Sequence, residues 1–312
     1  MFSFYPDVEY PLAAAQLILA MLGMGTTLRP ADFWGVARAP KGIILVLATQ
    51  YVLVPLLAML AARALQLPAG VAVGMVLVAG MPSGSLSTVF ALLGRGNTAL
   101  AISAAAVSTL LCLVATPLIL ETLARDELPA DLLMPIGTVA FEIVFLLLLP
   151  LGLGLLIGRY APERKKQIGK WCIRGSLAVL AAIVVGSLGS GRLDLAAYGW
   201  RTPASLVAFA LWSYLLARAV AFAARCDSRD GYTVGMGVLL RNCNLAVLVK
   251  ASLFPDAATD ATTAGGAGNL AGGVLFVALF YGGASLVIAG AFTAWQRRSG
   301  KAIESPADLA GE

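Results

Sequence analysis

Histidine is absent from all 312 residues. That removes the side chain on which neutral-pH proton relays, haem ligation and imidazole-bound zinc depend. Charge is scarce too: 12% of residues are Asp, Glu, Lys or Arg, 59% are hydrophobic, and the mean hydropathy is +0.86. A soluble helical enzyme of this length would show amphipathic stripes with charged outer faces, and none is present. The four cysteines, Cys112, Cys172, Cys226 and Cys243, follow no paired spacing, so neither a disulfide framework nor a thiolate metal site is expected. No Lys or Arg precedes Arg29, and the first apolar run is as long as a full span, which argues against a cleavable signal peptide.

What fills the chain is apolar runs of about 20 residues, the length that crosses roughly 30 Å of hydrocarbon. They predict an all-α polytopic membrane protein with nine transmembrane helices, near 9–28, 41–63, 69–93, 98–122, 132–158, 172–190, 203–224, 231–254 and 268–295. The connecting segments sort by charge. One side collects Arg29, Arg38, Lys41, Arg95, Arg159, Arg164, Lys165, Lys166, Lys170, Arg174, Arg218, Arg225, Arg229, Arg297, Arg298 and Lys301; the other holds Arg63, Arg125, Arg192 and Arg201. The positive-inside rule makes the first side cytoplasmic, with the N-terminus outside and the C-terminus inside, as expected for a cell-membrane protein. The net charge of +5 is thus a topology signal and not a sign of nucleic-acid binding.

Two spans are interrupted. The eighth carries Arg241-Asn242-Cys243-Asn244 at its middle, where an uncompensated cation costs about 3 kcal/mol on insertion scales and over 10 in simulations. The third is broken by Pro82-Ser83-Gly84-Ser85-Leu86-Ser87-Thr88. Five steps along an up-and-down chain reverse direction, so these spans predict an inverted five-helix repeat that lacks its first helix. Broken helices at membrane depth expose backbone groups that are tolerated only where they line a cavity or meet a ligand. Half-helix N-termini suit an anion and C-termini a cation.

The remaining features have structural readings. The glycines of Leu151-Gly152-Leu153-Gly154 and of Gly265-Gly266-Ala267-Gly268-Asn269-Leu270-Ala271-Gly272-Gly273 read as close helix packing; the strand and lysine of a phosphate loop are missing. Lys250, near a span end, is expected to snorkel to the outer surface. Glu142, inside the fifth span, is a candidate for proton coupling, with an outer-edge position as the alternative. Residues 299–312 read as a disordered cytoplasmic tail.

Leu22-Gly23-Met24-Gly25-Thr26-Thr27-Leu28-Arg29-Pro30, Pro82-Ser83-Gly84-Ser85-Leu86-Ser87-Thr88, Gly94-Arg95-Gly96-Asn97-Thr98 and Arg241-Asn242-Cys243-Asn244-Leu245-Ala246 together resemble the bile acid:sodium symporter family over nearly the whole chain. The resemblance implies one transmembrane transporter domain over 1–298, with a panel of about 9–28 and 132–190 and a core of about 41–122 and 203–295 in which two broken helices cross. It implies alternating-access carriage of a small organic anion (bile-acid-like, a steroid sulfate, or a 2-keto or hydroxy acid) bound between panel and core, and a monomer sufficient for function. Expected substrate-binding residues are Arg241, Asn242, Asn244, Ser85, Ser87, Thr88 and Asn269.

The match departs from the family at the sodium sites. Where members carry a shared glutamate, a glutamine and an asparagine, this chain has Gly237, Arg241 and Asn242; helix hydroxyls are replaced by Ala101 and Ala105; and a Ser-Asn pair becomes Ser87-Thr88. Gln50, Ser87 and Asn242 are retained. Losing a carboxylate while gaining a guanidinium a few ångströms away adds repulsion of about 4 kcal/mol to a sodium ion at an effective dielectric near 20. The expectation is no cofactor, no metal held by the degenerate set Gln50, Ser87, Thr88, Gly237 and Asn242, and Arg241 standing in permanently for the ion. The alternative keeps ordinary sodium-coupled symport, with ligands rebuilt from backbone carbonyls, Gln50, Ser87, Thr88 and Asn269. An intramembrane enzyme is not expected, for no activated serine, aspartate dyad or metal is assembled, and the loops are too short to hold a sensor's output domain.

Overall fold

Apolar residues fill whole turns of each segment, so the helices are specified by length and interruption more than by one buried stripe. In a computed structural model, residues 5–28, 40–127, 137, 141, 143–189, 198–254 and 267–303 are described. They form α1 (Tyr5–Gly25), α2 (Pro40–Ala64), α3 (Ala69–Gly80), α4 (Ser85–Leu93), α5 (Thr98–Leu123), α6 (Ile143–Tyr160), α7 (Lys165–Gly189), α8 (Arg201–Ala223), α9 (Ser228–Leu239), α10 (Cys243–Leu253) and α11 (Ala267–Ile303). Among the described residues, six helices are long and apolar enough to cross a bilayer: α2, α5, α6, α7, α8 and most of α11. Tyr10–Gly25, α3 and α10 are shorter apolar helices.

The third and eighth expected spans are each two half-helices, α3 with α4 and α9 with α10. Both follow a long helix through the same turn. After α2, Leu67 N–H donates to Ala62 O with Gln66 at φ 49°; after α8, Cys226 N–H donates to Ala221 O with Arg225 at φ 55°. This is the Schellman closure, which satisfies the last carbonyls of a helix by a left-handed residue. One unit, a long helix, a Schellman turn, a half-helix, an extended break and a second half-helix, therefore occurs twice.

α1 packs on α6 and α7 and also touches α10; α3 lies against α11, and α8 against α9. Small residues set the closest approaches. A Cβ on Gly25 would fall 2.9 Å from Gly154 Cα, and one on Gly273 would fall 2.7 Å from the carbonyl carbon of Gly70. Gly154 and Gly273 therefore have the packing role expected of them, whereas a Cβ on Gly152 would meet nothing. Gly154→Leu is expected to prevent recovery of folded, monodisperse protein in detergent, because its Cβ would already overlap the backbone of Leu22 and Gly25, which cannot yield by changing rotamer.

The loop 94–97 is fastened to the start of α9. Asn97 accepts from Leu100 N–H at 3.0 Å as the N-cap of α5, donates through Nδ2 to Asp230 Oδ1 at 2.8 Å, and its backbone N–H donates to Thr233 Oγ1 at 2.8 Å. Asn97→Ala is expected to cost about 1–2 kcal/mol in chemical or thermal unfolding. Arg63 forms an exposed ion pair with Asp126 at 2.8 Å, next to Arg125, which charge sorting assigns to the same side as Arg63.

Three expectations need revising or fall outside the described residues. Lys250 is 2% exposed, packed within the helices and not reaching a surface, since α10 is surrounded by α1 and α11. The last helix continues to Ile303, past the expected start of the tail at Ser299, and 304–312 lie outside the described residues. Glu142 also lies outside them.

Candidate functional site

Pro82 ends α3: it has no N–H, and it pushes Met81 into extended backbone at φ −75°, ψ 148°. Gly84 is extended at ψ 156° and opens α4. On the other side α9 stops at Leu239, Leu240 is extended at φ −91°, ψ 97°, and Asn242 caps α10 through Oδ1, which accepts from Leu245 N–H at 3.3 Å. The two extended pieces meet as an antiparallel pair centred on Ser83 and Arg241. Gly84 N–H donates to Leu240 O at 2.8 Å and Asn242 N–H to Pro82 O at 2.9 Å. Backbone groups that each break would leave bare at membrane depth thus satisfy one another.

The carbonyls at the ends of α3 and α9 are met by side chains. Thr116 Oγ1 donates to Gly80 O at 2.6 Å, Tyr281 hydroxyl to Leu239 O at 2.9 Å, and Ser83 Oγ to Gly237 O at 2.7 Å. Gln50 Nε2 donates to Met81 O at 3.1 Å, and its Oε1, 2.9 Å from Ser83 Oγ, shares the one hydroxyl hydrogen of Ser83 with Gly237 O. Arg241 supplies the rest. Its Nη1 donates to Ala79 O at 2.7 Å and Met81 O at 3.2 Å, with a longer contact to Gln50 O at 3.4 Å. Gln50 lies in a π-helical stretch, Thr49–Leu53, of the kind that frees a carbonyl from its own helix.

Arg241 is 6% exposed, and its Nε and Nη2 are shut off from solvent without a hydrogen-bond partner among the described residues. The titratable groups around it are Tyr281, Tyr51 and Cys243, with no described carboxylate among them. What steadies the cation is the negative pole of α3, whose last carbonyls carry about half an elementary charge. The guanidinium therefore points back into the crossing.

Beside the crossing lies a cavity of about 330 Å³. Its core wall is made by Gly84, Ser85 and Leu86, by Leu240 to Asn244, and by α11; α1 and α7 face them. The first turns of α4 and α10 open on it, so the wall carries two helix N-termini with their partial positive charge. Of the residues expected to bind substrate, Ser85, Arg241, Asn242 and Asn244 line this cavity together. Ser87 and Thr88 do not; their hydroxyls donate to Gly84 O at 2.8 Å and Ser85 O at 2.7 Å within α4. Asn269 is in the first turn of α11, and its side chain is outside what is described. Among the described residues no cluster of three His, Cys, Asp or Glu side chains is placed to hold a metal.

Several residues of this arrangement were not singled out from sequence. Ser83, Thr116 and Tyr281 are ordinary intramembrane hydroxyls until the break shows which carbonyls need them. Gln16 could have been found as a lone amide in the first apolar run; it donates through Nε2 to Ser176 Oγ at 3.0 Å, and both line the cavity.

A bundle of apolar helices with two interrupted pairs meeting beside a solute-sized cavity defines an integral-membrane carrier. Comparison with known proteins agrees: the model of the Sodium Bile acid symporter family matches residues 14–198. The chain is 31% identical over 265 residues to an uncharacterized sodium-dependent transporter of Bacillus subtilis (strain 168), YocS, covering 82% of this chain and 79% of that one. It is 27% identical over 247 residues to the probable sodium/metabolite cotransporter BASS1, chloroplastic, of Arabidopsis thaliana (78% of this chain, 60% of that one). It is 36% identical over 181 residues to sodium/bile acid cotransporter 4 of Homo sapiens (56% and 41%). This chain belongs to the sodium bile acid symporter family, and it is a transporter of a small solute, not an enzyme.

Proposed function

We propose that the chain carries a small organic anion across the cell membrane by alternating access, without sodium as an obligatory partner. Arg241 is a tethered cation in the place of the ion. The observation that supports this reading is the donation from Arg241 Nη1 to Ala79 O and Met81 O, because carbonyls gathered at a helix C-terminus are what a mobile cation would use. Gly237 brings no side-chain ligand, and Ala101 and Ala105 are buried without an oxygen. The anion would lie in the 330 Å³ cavity, held by Ser85, Asn242, Asn244 and the N-termini of α4 and α10, with α1, α6 and α7 as the panel. A volume near the lower end of small-molecule pockets favours a compact acid such as a 2-keto or hydroxy acid over a steroid. A fixed charge cannot be released on the inner side, so uniport, exchange or proton symport would drive transport, the last with Glu142 as its candidate residue. On this reading the N-terminus lies outside and the C-terminus in the cytoplasm, as the positive-inside rule would have it, and one copy is sufficient.

The second reading is sodium-coupled symport. The names of the relatives favour it, and its ligands would be backbone carbonyls, Gln50, Ser87, Thr88 and Asn269. Uptake into proteoliposomes with external sodium replaced by choline separates the two. Unchanged initial rates, within about twofold, are expected; a loss of uptake on removing sodium would establish the second reading. Sodium should likewise leave the unfolding midpoint unmoved, since only a ligand of the folded form raises it.

A further inference from the structure

The cavity wall opposite the crossing is apolar apart from one pair. Facing Ser85, Asn242 and Asn244 stand Ala20 and Met21 of α1 and leucines of α7, interrupted by Gln16 and Ser176. These two are 2% and 5% exposed and 160 positions apart in the chain, and they share a single hydrogen bond, Gln16 Nε2 to Ser176 Oγ at 3.0 Å. Each is the polar exception in its stretch of helix. A polar side chain inside a membrane protein destabilises it unless its hydrogen-bonding groups are matched.

Counting those groups shows what is left. Gln16 has two amide hydrogens and a carbonyl oxygen, and Ser176 has one hydroxyl hydrogen and two lone pairs. Their mutual bond uses one hydrogen and one lone pair. Among the described residues neither makes another side-chain bond, so an acceptor on Gln16, a donor on each residue and a lone pair on Ser176 remain at the cavity edge. Unlike the core wall, this pair bears no charge and no helix terminus. It matches a neutral group that both gives and takes a hydrogen bond.

We propose that Gln16 and Ser176 form a second anchor of the solute site, reading a hydroxyl or carbonyl group at the end of the solute remote from its anionic group. The inference rests on the anion reading given above. It narrows the substrate class to compact acids polar at both ends, with an apolar middle lying against Ala20, Met21 and Leu180. Two anchors on opposite walls also give the solute an orientation, and a solute lacking the far group leaves buried partners unmatched, which is how a site rejects an analogue.

Binding to the detergent-purified full chain tests this, with straight-chain carboxylates from butanoate to octanoate, each with and without a terminal hydroxyl. At least one hydroxy acid is expected to bind the wild type about tenfold more tightly than its unsubstituted partner. Gln16→Leu and Ser176→Ala should abolish that preference while leaving the Kd of the unsubstituted acid within about twofold, which also shows that the variants are folded. A wild type with no preference for any hydroxy acid overturns the inference, as does a preference that survives in either variant. Loss of both acids in Gln16→Leu overturns it too, since the residue would then be holding the cavity together. If carboxylates bind without preference, only this inference falls; if no carboxylate of either series binds, the anion reading falls first.

Discussion

Arg241→Gln is expected to reduce anion uptake at least tenfold, and adding Gly237→Glu should restore part of it in a form that requires sodium. The single change removes the donor to Ala79 O and the longer contact to Gln50 O, whereas Met81 O keeps its bond from Gln50 Nε2. Each buried carbonyl left unmatched costs about 1–3 kcal/mol. The positive charge at the crossing goes with it, so the anion loses a favourable field. The double change supplies a carboxylate and an amide where the family has them. Space exists for its beginning: a Cβ on Gly237 would sit 3.5 Å from Val46 Cγ1 and 3.8 Å from Ser83 Oγ, ordinary contact distances. Initial rates in sodium and in choline, for wild type, single and double variants, measure it. Uptake by the double variant that stays low in sodium would mean that the guanidinium does not occupy an ion's place. Arg241→Lys should behave more like Arg241→Gln than like the wild type, because an ammonium lacks the planar fork of donors.

The second large effect concerns assembly. Gly273→Val is expected to abolish recovery of folded protein, as followed by monodispersity in detergent and by thermal unfolding. A Cβ at residue 273 would be 2.7 and 2.9 Å from the carbonyl carbon and Cα of Gly70 and 3.1 Å from Val71 N. These are backbone atoms of α3, which has no rotamer by which to yield. Separating α11 from α3 would also shift Tyr281 away from Leu239 O and open the crossing. By contrast Gly152→Ala, where a Cβ meets nothing, should be silent.

The interruptions were legible because a proline and an arginine stand out against twenty apolar neighbours, and the half-helices end within two residues of Pro82 and Arg241. Helix ends were less legible where the helix leaves the apolar run: α7 starts at Lys165, among basic residues, seven positions before the hydrophobic signal begins. The pairing of Ser83 with Arg241, and the direction of the guanidinium, depend on which carbonyls each break exposes, and periodicity carries no trace of that. The π-helical turns at Thr49–Leu53 and Ile143–Leu148 are backbone events with no residue signature. Lys250 shows a different limit: proximity to a helix end suggested solvent, but the side chain is buried where α10 packs on α1 and α11.

The rung between Ser83 and Arg241 has a mechanical consequence. Two backbone bonds, the bond from Ser83 Oγ to Gly237 O and three guanidinium contacts lash the halves of the molecule at their midpoints, so parting them would break six links at once. Whatever travels during turnover must therefore shear elsewhere. The seam where α1 and α7 lie along the cavity, apolar but for one amide and one hydroxyl, offers the least grip. A crosslink stapling α1 to α10 should freeze the carrier, while one stapling α4 to α9 should leave it running.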